Sequence, residues 1–143
     1  MLPVILPSHN IDSQNGVLEA RFEGEITQGE LRLFLAEVYA DPAWRPGMRT
    51  LLDFTQATIN LHFDDMLSLT DWDKHQQACA SGRWAFVVGN AVNFGMGRMY
   101  GSLTFEVRET GVFHHRSEAV AWLKELDGPE RLQPCGIQVS LPA

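Results

Sequence analysis

Basic residues are scarce in this chain, cysteines are scarcer, and long apolar runs are missing. Eleven Lys and Arg stand against eighteen Asp and Glu over 143 residues, a net charge of −7 that repels phosphate backbones instead of displacing their counterions. Nucleic acid is therefore a poor partner, and Arg45, Arg49, Arg83, Arg98, Arg108 and Arg116 are too scattered to form a basic run. The same acidity opposes anionic lipid headgroups. Cys79 and Cys135 are the only cysteines; without a second pair they give no disulfide framework and no redox or zinc spacing, so a reducing compartment fits. No segment approaches the length of a membrane span. Met1 to Asn10 has no basic residue and is broken by Pro3 and Pro7, which argues against a secretory signal and makes the cytoplasm the expected location. Catalytic signatures are also missing: there is no Gly-x-Ser-x-Gly elbow, no cysteine at a strand-to-helix turn and no zinc-protease helix.

What is present is core material. With 45% hydrophobic residues and four tryptophans, a chain of this length can close one continuous core. The expectation is one domain over residues 1–128, followed by a C-terminal tail over 129–143.

The order of elements reads as a sheet covered by helices. Gln14-Asn15-Gly16 separates two extended runs, and Asn-Gly favours a hairpin, so the first two strands should be antiparallel. Val17 to Glu23 alternates, with Ala20 and Phe22 on one side and Glu19, Arg21 and Glu23 on the other. Thr27-Gln28-Gly29-Glu30 forms a capping box with an Ile26/Leu31 staple. The stripe Leu31, Phe34, Leu35, Val38 and Tyr39 follows and stops at Asp41-Pro42. After the Trp44-Arg45-Pro46-Gly47 turn, Thr50 to Phe54 reads as a strand, and Phe63 to Ala80 as a helix with Met66, Leu69, Trp72 and Cys79 inward. Arg83 to Gly89 is almost wholly apolar, as a strand covered on both faces should be, and is expected at the sheet's centre. A third helix is expected from about Asn93 with Met96, Met99, Tyr100, Leu103 and Val107 on its buried face. Gly111 to His115 reads as the last core strand. Ser117 should cap a closing helix whose stripe is Ala119, Trp122, Leu123 and Leu126, ended by Gly128-Pro129. The fold class is α/β: a small, mixed, mostly parallel sheet with an N-terminal antiparallel hairpin and about four packed helices.

This order, carried by Phe22-Glu23-Gly24, Asp41-Pro42-Ala43-Trp44, Asp53-Phe54-Thr55, Ala85-Phe86-Val87-Val88-Gly89 and Glu118-Ala119-Val120-Ala121-Trp122-Leu123, resembles the SpoIIAA-like family. That family looks like a branch of the STAS domains related to the SEC14/CRAL-TRIO lipid-binding fold. The resemblance spans roughly Val17 to Leu126 and implies a regulatory contact module or a holder of small or lipid-like ligands, without a reaction. It departs from the family at one place. Where STAS anti-sigma-factor antagonists carry a phosphorylatable serine in an Asp-Ser-Ser-Gly-like turn, this chain has Gln56-Ala57-Thr58-Ile59-Asn60, with Thr55 and Thr58 as the only nearby hydroxyls.

Parallel sheets bind ligands beyond the carboxyl ends of their strands, so Asp53 to Asn60, Asn90 to Arg98 and His114 to Ser117 are expected to meet there. The candidate ligand-binding residues are Asp53, Thr55, Asn93, Gly95, Gly97, Arg98 and His115. Gly95 and Gly97 would let an anion approach the third helix's first turn, with Arg98 as countercharge. The competing reading is that Gly97 and Gly101 only allow close helix packing, and it is the stronger one. Met96, Met99, Tyr100 and Leu103 could line an apolar pocket, although any helix over a sheet needs such a face. His75 and Cys79, with Asp71 a turn earlier, fall short of a closed metal site, and no cofactor is expected. His114 and His115 should point to opposite faces of their strand, one buried and one exposed. The leading expectation is a non-catalytic module that binds an unknown protein or a small ligand. The alternative is a carrier or sensor of apolar or lipid-like molecules beneath the 93–108 helix, which would allow peripheral membrane contact. An acid/base enzyme using Asp53 with His114 or His115 comes third. The plentiful aromatics are compatible with a homodimer.

Overall fold

A short hairpin starts the sheet in the computed structural model, which describes residues 8–76 and 82–125. Strand β1 (His9–Asp12) runs antiparallel to β2 (Val17–Ile26), with His9 opposite Ala20 and Asp12 opposite Val17. The turn is tied by the Asp12 carboxylate, which accepts from the amides of Gln14 and Asn15 at 3.1 and 3.2 Å and from Asn15 Nδ2 at 2.7 Å. Gly16 closes it at φ 67°, a conformation that costs glycine little. Along β2, Leu18, Ala20 and Phe22 enter the core while Glu19, Arg21 and Glu23 point away.

Helix α1 (Gln28–Ala40) begins with the expected box: Thr27 N donates to Glu30 Oε1 at 2.9 Å and Glu30 N donates to Thr27 Oγ1 at 3.4 Å. Phe34, Leu35 and Val38 are buried, and the helix stops at Asp41, since a residue before proline disfavours helical geometry.

Strand β3 (Arg49–Ile59) is longer than its apolar run suggested. Asp53 lies opposite Arg21, but Gln56 lies opposite Glu23, so β3 absorbs one extra residue around Phe54-Thr55. This bulge shifts the alternation by one. Leu52 and Phe54 before it and Ala57 and Ile59 after it therefore face the same core. Polar Thr55, Gln56 and Thr58 made this stretch look like a loop; it is strand.

Helix α2 (Phe63–Lys74) follows, then β4 (Arg83–Val88), helix α3 (Ala91–Thr104), β5 (Glu109–Phe113) and helix α4 (Arg116–Lys124). The sheet order is β1-β2-β3-β4-β5, parallel everywhere beyond the first pair. All six residues of β4 are buried, as a doubly covered strand requires, but the middle position belongs to β3. Each β-α-β crossover steps one strand in the same direction, and right-handed crossovers then place every connecting helix on one face. Phe34, Val38, Met66, Leu69 and Tyr100 of α1, α2 and α3 accordingly share one core with Phe22, Phe54 and Phe86. Helix α4, which follows the last of the described strands, packs on the other face, where Ala119 and Leu123 meet Leu51, Ala85 and Val87.

Three boundaries shift from expectation. Asn90 caps α3, its side chain accepting from Asn93 N at 2.8 Å, so the helix starts before Asn93 and leaves Val107 beyond its end. β5 stops at Phe113, two residues early, because the chain turns into α4 there. The N-cap of α4 is His115, and Ser117 lies inside the first turn. Cys79, Cys135, Leu126, Gly128-Pro129 and the tail 129–143 fall outside the described residues, as does the stretch 77–80 expected to end the second helix.

Candidate functional site

Because β2 to β5 are parallel and each hands on to a helix, the four described helices all begin at the carboxyl edge of the sheet. That edge was the expected site. Ligand crevices in such sheets open where the strand order reverses and neighbouring helices diverge to opposite faces. Here the order runs straight from β1 to β5, and α1, α2 and α3 stay on one face. No topological switch opens a crevice between them.

The candidate residues separate accordingly. Asp53 alternates with Leu51 and so shares the α4 face, whereas Arg98 is exposed on α3, across the sheet. The two cannot hold one small ligand. Asp53 Oδ1 accepts from Thr55 N at 2.8 Å and Thr55 Oγ1 at 2.7 Å, a local tie at the bulge that occupies both expected ligand groups. Asn93 is fully buried and holds backbone: Ile59 N donates to its Oδ1 at 2.9 Å, and its Nδ2 donates to Ala57 O at 2.8 Å and more weakly to Phe54 O at 3.4 Å. β4 pairs with β3 only as far as Val88 opposite Phe54, so Asn93 supplies a substitute for the missing ladder partner. Its polarity serves the fold.

The glycines follow the packing reading. A Cβ on Gly97 would come within 2.9 Å of Val112 Cγ2 and 3.2 Å of Phe86 Cδ2, and one on Gly101 within 3.1 Å of Thr110 Cβ. Gly95 faces open space. His114 and His115 are both exposed, contrary to the alternation expected of a strand that ends before them. His114 stacks on Phe94 with ring centroids 5.1 Å apart, and Arg98 lies 5.8 Å from the Phe94 ring on α3. Asp53, Val87 and Phe113 form one row across the sheet. His114 follows Phe113 and is thus two strands, roughly 10 Å, from Asp53, with its ring on the α3 side. This is no acid/base pair.

Beneath α3, Met96 and Tyr100 line an apolar void of about 50 Å³ together with Phe54, Phe86 and Leu69. Met99 and Leu103 pack against the same core without lining it. At the carboxyl edge two large apolar side chains are exposed, Phe63, the first residue of α2, at 58% and Val92, the second of α3, at 57%. α2 and α3 are packed neighbours.

At the opposite edge lies a polar cluster that pattern reading passed over. Asp73 of α2 is fully buried and accepts from Tyr39 Oη of α1 at 2.5 Å, from Tyr100 Oη of α3 and from Arg108 Nη1 at 2.7 Å. The Arg108 guanidinium lies 4.4 Å over the Trp84 ring. Burial raises both tyrosine pKa values well above their usual range; the charge of Arg108 works the other way without cancelling it. One signal was available: Met66, Leu69, Thr70 and Asp73 fall at i, i+3, i+4 and i+7, placing an acid on the apolar stripe. Among the described residues no group of three His, Cys, Asp or Glu could hold a metal ion, and no helix is long and apolar enough to cross a membrane.

No family model matches the chain, and no curated protein does. Among solved structures, the chain is similar to an uncharacterised protein of the DUF3478 family with a SpoIIAA-like fold from Shewanella loihica PV-4. The match has a TM-score of 0.55 at 20% identity and covers 86% of this chain and 98% of the other. The chain has a SpoIIAA-like α/β fold.

Proposed function

We propose that this chain is a non-catalytic binding module that docks a protein partner on the carboxyl edge of its sheet. One observation carries the reading: Phe63 and Val92 stand more than half exposed at the starts of two adjacent helices, where apolar side chains outside the core mark a contact surface. Beside them the Phe94–His114 stack adds a flat aromatic surface. The net charge of −7 favours a partner whose contact patch is rimmed by Lys or Arg. The separation of Asp53 from Arg98 and His114 supports binding over chemistry, and a cytoplasmic setting goes with it.

The test is native mass spectrometry of protein taken directly from cells, comparing the parent with Phe63→Ser and Val92→Ser. The expected result is a complex, with a second copy or with another protein, that both substitutions abolish while the fold survives. A complex indifferent to both substitutions, or turnover of a substrate blocked by Asp53→Ala, would overturn the reading.

The apolar void favours a second reading, a carrier or sensor of apolar molecules. At about 50 Å³ it is well below the roughly 150 Å³ that accommodates benzene. A lipid tail would have to lift α3. Xenon shifting the Met96 methyl resonance, followed by displacement with a longer alkane, supports this reading; a methyl silent to both sinks it.

A further inference from the structure

Helix α4 packs mainly on β3, β4 and β5, and among the described residues it reaches β2 through the Arg116–Glu19 pair. Between α4 and the hairpin lies a recess of about 530 Å³, within the range of small-molecule sites. Val17 and Leu51 contribute an apolar floor, and Val120 and Leu123 of α4 an apolar wall.

Its charges are unevenly committed. The recess holds Arg49, Arg116 and Lys124 against Asp12 and Glu19. Glu19 is taken by Arg116, Oε2 to Nη2 at 2.5 Å. The Asp12 carboxylate is taken by the hairpin turn, whose amides hold its pKa below the usual carboxylate value, the Asn15 side chain contributing most. Neither Arg49 nor Lys124 meets a carboxylate among the described residues. Arg49 Nε is shielded from water and meets no acceptor among the described residues.

We infer that this recess is a binding site for a small amphipathic organic anion, its carboxylate or phosphate head on Arg49 and Lys124 and its apolar body against Leu51, Val120 and Leu123. The planar guanidinium of Arg49 matches either head group with paired donors. The two cations offset the acidity that would otherwise turn anions away. The site faces away from α1, α2 and α3, so it is independent of the edge carrying Phe63 and Val92.

Amide and methyl NMR titrations at low salt with hexanoate, hexyl phosphate and hexylamine test this directly. The anions should shift Val17, Leu51, Val120 and Leu123, and the stronger of the two identifies the head group. Hexylamine should bind at least tenfold more weakly. Arg49→Gln should weaken the anions at least tenfold, and Lys124→Glu, at an exposed position, severalfold or more; the second variant decides the matter should the first fail to fold. Raising salt should weaken binding. Equal binding of hexylamine and hexanoate, shifts that map elsewhere, or affinities unchanged in a folded Arg49→Gln or Lys124→Glu chain would overturn the inference.

Discussion

Replacing Asn93 by Ala removes the group that stands in for a missing strand. Two good hydrogen bonds are lost, Ile59 N to Oδ1 at 2.9 Å and Nδ2 to Ala57 O at 2.8 Å, and the 3.4 Å contact to Phe54 O adds little. Each buried backbone group left without a partner costs about 1–3 kcal/mol. Two of them, partly relieved by relaxation at the end of β3, give about 3 kcal/mol. For a chain of this size that is a fall in Tm of about 10 °C. Urea unfolding followed by tryptophan fluorescence, with four tryptophans as reporters, measures the first quantity and calorimetry the second. Asn93→Asp refines the test, since a carboxylate can still accept from Ile59 N but cannot donate to Ala57 O; it should be destabilised as well, and more so in an already buried site. A loss below about 0.5 kcal/mol for the Ala variant, within the range of an ordinary surface change, would show that Asn93 does not hold the end of β3 and leave its side chain free for a ligand.

The glycines of α3 give an opposed pair of outcomes. Gly97→Ala drives a methyl into Val112 and Phe86 and should cost about 1–3 kcal/mol by overpacking, whereas Gly95→Ala meets open space and should gain up to about 1 kcal/mol in helix propensity; equal effects in denaturant melts would contradict the packing assigned here. The chain has two tyrosines, Tyr39 and Tyr100, both with pKa values raised by burial. An acid whose folded pKa lies above its unfolded value stabilises the fold fully below the unfolded pKa, near 10, and loses that contribution as pH rises through the folded one. Tyrosinate absorbance should therefore be missing from the native protein near pH 10 and rise together with alkaline unfolding; a rise at pH 10 with intact circular dichroism would show the phenols are free.

What could be read from the sequence was local. The Thr27-Glu30 box, the Asp41-Pro42 stop and the solid apolar run of β4 depend on neighbours in the chain, and each stands where expected. The far half of β3 depends on its partner strand: only the mismatch with β2 shows that Phe54-Thr55 is a bulge, and single-chain alternation reads Thr55 to Thr58 as a loop. The candidate site suffered more because it brought together every loop beyond the carboxyl ends of the strands, whereas a crevice there needs a strand-order reversal that β1 to β5 do not make. Asp53 and Arg98 looked close because both follow the pattern of a strand handing over to a helix, yet which face a side chain takes is fixed by sheet phase and helix placement together. Arg49 and Lys124 are 75 positions apart, and no spacing rule brings them to one recess.

The straight run of strands from β1 to β5 also bears on how the molecule assembles. Every strand is laid beside the one synthesised just before it, so the loops to be closed are short and pairing need not wait for distant sequence. Among the described residues α4 is the helix that returns to early strands, clasping Glu19 with Arg116 across 97 residues of separation. Assembly can therefore advance from the N-terminal hairpin outward, with the docking of that one short helix as its final and most easily reversed step, and hydrogen exchange should find α4 opening at lower free energy than the β2–β4 centre.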